Sequence, residues 1–367
     1  MTGRDRLLGA LYGRPKDRTP VVTIADSVTK RDMPEEVRIL TEPDFMRRIG
    51  YDNLQWGNIG LAKEHAVNDP FVVETNGLRT EYERDENGFD VQTLHTPYGS
   101  LVSTGKSGHP VKYPVTDERE LKILANYMGD TVVTEVSDVG TCNFHAVLGE
   151  IGEDGVYMPL FQPSPVQQLI EFNMGLENFN YFLCDYPDLM DVIMREMHRI
   201  NLAVYEFSAK LMPYEAFIAI ENTSTTLVSP EMYRKYSMGH IRDFSDVMHK
   251  YGKKAIIHMC GLVNNLLDEF RETGMDGIHA LTEPPIGNCR FERALDVMGD
   301  DLIIIGLLNG NVFNRPDATV ESIHAELDRV MTPRLAKSNF ILHAPADGLP
   351  TELWKFETVI DWFLKRR

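Results

Sequence analysis

The sequence predicts an α/β chain folded as a (β/α)8 TIM barrel, with an antiparallel β-hairpin insertion in its N-terminal third. Three observations carry that expectation. Beyond residue 150, short apolar runs alternate with helical patterns six times, as a parallel sheet with crossover helices requires. One or two further strand–helix units near the N-terminus bring the count close to eight. Neither G-x-G-x-x-G nor a Walker sequence occurs, so the glycine-rich loop that often marks an open doubly wound sheet is missing. The chain has 367 residues, a length at which barrels often run undivided. No 20–50-residue repeat, low-complexity tract or long linker interrupts it. Residues 1–367 are therefore read as one domain, with the β insertion at about 71–115.

In order, Leu7, Leu8, Leu11 and Tyr12 stand at helical spacing within residues 2–13, and Gly13 followed by Pro15 ends that helix. Pro20–Ile24 is a short strand, Thr41–Ile49 a helix with Pro43 in its first turn, and Leu54–Trp56 a brief strand. Phe71–Thr75, Leu78–Glu83 and Phe89–Leu94 read as strands broken by Asn76-Gly77 and Glu86-Asn87-Gly88. Both breaks contain the dipeptide of tight hairpins. The insertion ends near Tyr98–Val102, and Thr116–Glu120 opens a helix rich in early acids. The strands beyond it are Val156–Leu160, Phe217–Ile220, Ala255–Ile257, Gly277–Leu281, Leu302–Leu307 and Phe340–Leu342. Helical patterns lie between them, among them Pro187–Lys210 and one opened by Ser229-Pro230 as N-cap and first turn.

Composition removes several classes of function. The formal charge of −18 repels nucleic acid and admits a neutral substrate or a partner with a basic face. No apolar run reaches the roughly eighteen residues of a membrane span. The start lacks a signal-peptide stretch, and four irregularly spaced cysteines fit reduced thiols. The expectation is a cytoplasmic protein with no membrane or nucleic-acid partner, its homo-oligomeric state left open.

Barrel enzymes keep their chemistry at the carboxyl ends of the strands. Those positions hold Glu221 and Asn222, then His258 and Cys260, then His279, Thr282 and Glu283, then Asn309 and Asn311, then His343 and Asp347. The sharpest of these is His258-Met259-Cys260-Gly261. On an extended chain residues two apart share a side, so an imidazole and a thiolate would converge as two ligands of Zn²⁺. Each position also has a plainer use: Glu221 as a loop cap, His279 as a satisfied core histidine, Asn309-Gly310-Asn311 and Asp347-Gly348 as turns. Cys142, Cys184 and Cys289 have no partner at metal-ligand spacing.

The opening Thr2–Leu11 followed by Asp17–Val21 resembles the start of uroporphyrinogen decarboxylase-like proteins. Ser229-Pro230-Glu231-Met232-Tyr233, His258-Met259-Cys260-Gly261, Gly310-Asn311-Val312 and Ile341-Leu342-His343…Gly348-Leu349-Pro350 agree with them. This superfamily holds porphyrinogen decarboxylases and cobalamin-dependent methyltransferases. Its decarboxylases carry an arginine-rich segment near the N-terminus, whereas the matching Val21–Asp26 has no arginine. The H-x-C pair and the insertion ending in Thr96-Pro97-Tyr98-Gly99 are similar to the corrinoid-dependent branch. Asp347 stands where thiol-methylating members have a third cysteine ligand.

The resemblance therefore implies an O-demethylase component. It would take a methyl group from a small methylated substrate, a methoxylated aromatic, to the cob(I)alamin of a corrinoid protein. Zn²⁺ would sit on His258 and Cys260 with Glu221 and Asp347. His279 and His343 are the candidate catalytic acids, and Asn309 and Asn311 the candidate cofactor contacts. No Asp-x-His-x-x-Gly corrinoid motif occurs, so the cobalamin would come from a partner. The alternatives are methyl transfer from a corrinoid to a thiol such as coenzyme M, a decarboxylase, and a barrel that binds without turnover.

Overall fold

Val22, Leu54, Val156, Ile218, Ile256, Ile305 and Ile341 come from separate strands and meet in one buried cluster. That convergence is what a closed parallel barrel produces, because alternate residues of every strand point to its axis. The computed structural model describes residues 1–57 and 65–366. Its barrel strands are Val21–Val22, Asn53–Trp56, Gly155–Met158 with its continuation Leu160–Phe161, Ala216–Ile220, Lys254–His258, Gly277–Thr282, Ile303–Leu307 and Phe340–His343. The last strand pairs in parallel with the first. The second pairs with the third, and the third's continuation pairs with the fourth. The Asp52 N–H donates to the Val21 carbonyl at 2.8 Å, which joins the first strand to the second. The fold is thus (β/α)8.

The amino end of the barrel is closed by the helix Gly3–Leu11, whose Leu7, Ala10 and Leu11 enter the same cluster. Thr2 and Asp5 form a reciprocal capping box that starts it. The arginines here are committed to structure. Asp52, buried, accepts from Arg18 at 2.7 Å and from Arg6, and also from the Val21 N–H at 2.9 Å.

Two compact units make up the chain: Met1–Asn68, Gly140–Phe161 and Met212–Arg367, which hold the barrel, and Asp69–Val139 with Gln162–Leu211. The second unit contains a four-stranded antiparallel sheet, Arg79–Arg84, Asp90–Thr96, Gly99–Lys106 and His109–Lys112. It also contains the helices Glu118–Asp130 and Pro187–Leu211.

One strand of the insertion finds a different partner from the one expected. Phe71–Glu74 pairs with Val132–Glu135 instead of forming a hairpin across Asn76-Gly77. A type I′ hairpin turn needs positive φ at both central residues. Here Gly77 has φ +71° while Asn76 is not in that region, so the turn ends the strand without folding it back. Among the described residues no helix is long and apolar enough to cross a membrane.

Candidate functional site at the carboxyl ends of the barrel strands

The inward register of the barrel delivers four rings to its carboxyl end. Ile256 and Ile341 point into the core, so His258 and His343, two residues on, share their side. Leu54 places Trp56 in the same way. His279 lies opposite His258 in the pairing of the fifth and sixth strands. A register shift follows it between His279 and Leu281, and Ala280 takes φ +63°. Alanine pays about 1 kcal/mol or more for that conformation, and bulges of this kind re-aim side chains beside functional sites.

These rings pack as one cluster. The Nδ1 atoms of His258 and His279 are 2.9 Å apart. His279 and His343 lie nearly parallel, with 5.9 Å between centroids and 10° between planes. Trp56 meets both edge to face, at 4.8 Å from His279 and 5.1 Å from His343. His343 Nε2 stands 3.3 Å from Asp347 Oδ1, whose residue is exposed.

Burial decides the charge of this cluster. Desolvation pushes the His258 imidazole down to about 4; His343 adds to the shift and Asp347 opposes it. His279 is lowered well below the ordinary histidine range by burial, then by His258 and His343. Both are neutral at neutral pH.

The fourth and fifth strand ends are tied together. The Glu221 and Asn222 N–H groups both donate to the His258 carbonyl at 3.1 Å. Asn222 sits at φ +48°, a conformation asparagine tolerates better than most residues. Glu221 is fully buried, and the Thr223 hydroxyl donates to its Oε1 at 3.0 Å. The next loops zip further: Leu262 N–H donates to Ser224 Oγ, and Thr225 N–H to the Leu262 carbonyl. Gly261 makes this approach feasible, because a Cβ there would lie 2.4 Å from Ser224 Cβ and 2.8 Å from the Thr223 carbonyl oxygen.

The strand ends at His258, so Cys260 is placed by this loop and not by strand alternation. Its side chain is exposed, and its thiol lies 3.7 Å from Asn222 Oδ1. Asn309 caps the short helix Gly310–Phe313 by accepting from the Asn311 N–H, and Asn311 is exposed. Glu283 accepts from the Phe291 N–H and pairs with Arg329.

The histidines His258, His279 and His343, with Asp347, are therefore brought together, with Glu221 and Cys260 at the adjoining strand ends. Zinc takes the donors that His258, Cys260, Glu221 and Asp347 carry. Yet among the described residues no three His, Cys, Asp or Glu side chains are grouped closely enough to hold a metal ion. The expected shell does not fit the arrangement as it stands. Trp56 was not among the expected site residues. It ends the strand Leu54–Trp56, and its side chain, neither acid, base nor metal ligand, carries no signal of the kind that marks the later strand ends.

The family model for uroporphyrinogen decarboxylase (URO-D) matches residues 168–353, a span that includes every expected site residue but not Trp56. Among solved structures, a methyltransferase from Methanosarcina mazei aligns over 100% of this chain and 99% of its own, at 15% identity and a TM-score of 0.57. That likeness is one of fold. The tandem GH20 catalytic modules of a pneumococcal exo-β-D-N-acetylglucosaminidase align over 98% of this chain and 86% of theirs, at 10% identity and a TM-score of 0.44. D-psicose 3-epimerase aligns over 67% and 86%, at 9% identity and a TM-score of 0.37. None of the curated proteins matches the chain.

Proposed function

Because the chain belongs to the uroporphyrinogen decarboxylase (URO-D) family, we propose that it is an enzyme of the methyl-transferring kind. It takes a methyl group from an O-methyl substrate, a methoxylated aromatic by preference, to the corrinoid of a separate protein. The single observation that carries this reading is the charge of the cluster. His258 and His279 are neutral, and the arginines near the N-terminus, Arg6 and Arg18, are committed to Asp52 at the amino end. A substrate with many carboxylates would find no compensating charge from these groups, in a chain of net charge −18. A neutral ether meets no such cost.

The chain's own groups suit the departure of a methyl group from oxygen. As the C–O bond breaks, negative charge grows on the leaving oxygen. A neutral imidazole N–H in a buried site stabilises such charge without first having to lose a proton of its own. Of the facing pair His258 and His279, the ring that accepts at Nδ1 keeps its own N–H at Nε2 and is that kind of donor, and His343, paired with Asp347, is the proposed proton source for the leaving alkoxide or phenolate. The stacked rings and Trp56 keep water from the apolar side of the cluster. The corrinoid, when bound, supplies the nucleophile that accepts the methyl group. Zn²⁺ on His258 and Cys260, with Glu221 and Asp347, would require these side chains to draw closer together than they stand.

The experiment that tests this reading pairs two substrates. Supplied with a methoxylated aromatic and a reduced corrinoid, the protein is expected to methylate the cobalt. Supplied with a polycarboxylate porphyrinogen, it is expected to release no carbon dioxide. The reverse pair of results would overturn the proposal.

A further inference from the structure

Trp56 is the one ring of the cluster with no titratable or metal-ligating group. It is buried at the boundary between the apolar barrel core and the histidines, and it belongs to the same packed group as Leu54, Ile256 and Ile341. Its indole meets His279 at 67° and His343 at 74°, and the two imidazoles lie within 10° of parallel.

Hydrogen bonds alone do not fix these rings. His279 is held at Nδ1 by His258, and His343 at Nε2 by Asp347. The other nitrogen of each, His279 Nε2 and His343 Nδ1, is buried with no hydrogen-bond partner among the described residues. An imidazole tied at one nitrogen can swing about its Cβ–Cγ bond. Such a swing tilts the ring plane and takes the nitrogen away from His258 or Asp347. Edge-to-face packing against an aromatic ring opposes it, at about 0.5–1.5 kcal/mol per pair beyond the area buried.

We propose that Trp56 is a positioning residue: its indole locks His279 and His343 in the one orientation that presents His279 Nδ1 to His258 and His343 Nε2 to Asp347. The consequence for catalysis rests on the methyl-transfer reading above; the locking itself does not. A ring that swings out of this plane loses its donor geometry, and misplacement by about 1 Å can cost on the order of 100-fold in rate.

Two variants and a substrate-free measurement test this. Trp56→Phe keeps an aromatic face, and Trp56→Met keeps apolar volume without one. Imidazole ¹⁵N resonances, assigned with His279→Asn and His343→Asn, report whether each ring keeps the single tautomer its hydrogen bond fixes or, swinging free of that partner, averages two. The unaltered protein and Trp56→Phe are expected to show distinct, unaveraged signals for both rings, and Trp56→Met averaged ones. In turnover, Trp56→Met is expected to lose about 100-fold in kcat with KM changed less than about threefold, and Trp56→Phe to stay within about threefold. Unaveraged signals in a folded Trp56→Met would overturn the proposal. Averaged signals in Trp56→Phe would do the same, and that variant decides alone if Trp56→Met does not fold. The resonances need no substrate, so a failed methyl-transfer assay leaves this test standing.

Discussion

His258 and His279 face each other through their Nδ1 atoms at 2.9 Å, so one ring donates and the other accepts. Each thereby fixes the tautomer of its neighbour. Both rings leave water on folding, and the contact between them is one of the few polar compensations for that loss.

Replacing His279 with Phe keeps a ring of similar breadth but leaves His258 Nδ1 without this partner. A buried polar group so deprived costs about 1–3 kcal/mol. Urea denaturation of His279→Phe is expected to show a loss of that order with an unchanged m-value. A variant as stable as the parent would mean that the 2.9 Å contact contributes nothing to folding.

The same desolvation predicts a pH dependence. His258 titrates near 4 in the folded chain and near the ordinary histidine value of about 6.5 when unfolded. Between those values the unfolded state binds a proton that the folded state refuses, so stability rises with pH. His279 is shifted the same way. Metal-free protein is therefore expected to be fully stable above about pH 6.5 and to lose a few kcal/mol as the pH falls towards 4. Thermal midpoints between pH 7 and 4.5 check this. A His279→Phe/His258→Phe double variant should flatten the profile, and an unchanged slope would remove the cluster as its source.

Gly261 makes a prediction about loop geometry. A methyl group there would sit 2.4 Å from Ser224 Cβ, so Gly261→Ala must push apart the loops that carry Glu221 and Cys260. Overpacking of this kind costs about 1–3 kcal/mol. Turnover is expected to fall by at least about tenfold, with far-ultraviolet dichroism unchanged. Full activity would show that the two loops work independently.

Metal content can be measured directly. About one Zn²⁺ per chain is expected in protein purified without chelator. That zinc should be lost in His258→Ala/Cys260→Ala, which removes two of the four proposed ligands; in the parent, Cys260 leaves Asn222 Oδ1 as a thiolate to ligate. Zinc retained in the double variant would remove these two residues from the metal site.

Much of the barrel is legible in the sequence because strands buried on both faces write themselves as continuous apolar runs. Phe217–Ile220, Ala255–Ile257 and Leu302–Leu307 are such runs, and each falls on an observed strand. Local signals say less about partners. Asn76-Gly77 marks a turn, but pairing of Phe71–Glu74 with Val132–Glu135 depends on residues about sixty positions away.

The site divides in the same way. The strand-end rule finds His258, His279 and His343 from order alone. It does not show that His258 Nδ1 faces His279, because the bulge at Ala280 leaves no mark in composition. Nor does it show Cys260 turned to Asn222, since the strand stops at His258 and the loop that follows is set by Gly261. Trp56 carries no titratable group and escapes any search for acids, bases and ligands.

The most direct measurement follows the absorbance of cobalt. The protein is mixed with a reduced corrinoid, free or on a corrinoid protein, and a panel of methoxylated aromatics. The cob(I)alamin band is expected to give way to that of methylcobalamin with at least one donor, and not in a His258→Ala/His279→Ala variant. Failure of every O-methyl donor, together with methylation of coenzyme M from methylcobalamin or release of carbon dioxide from a porphyrinogen, would contradict the proposed function.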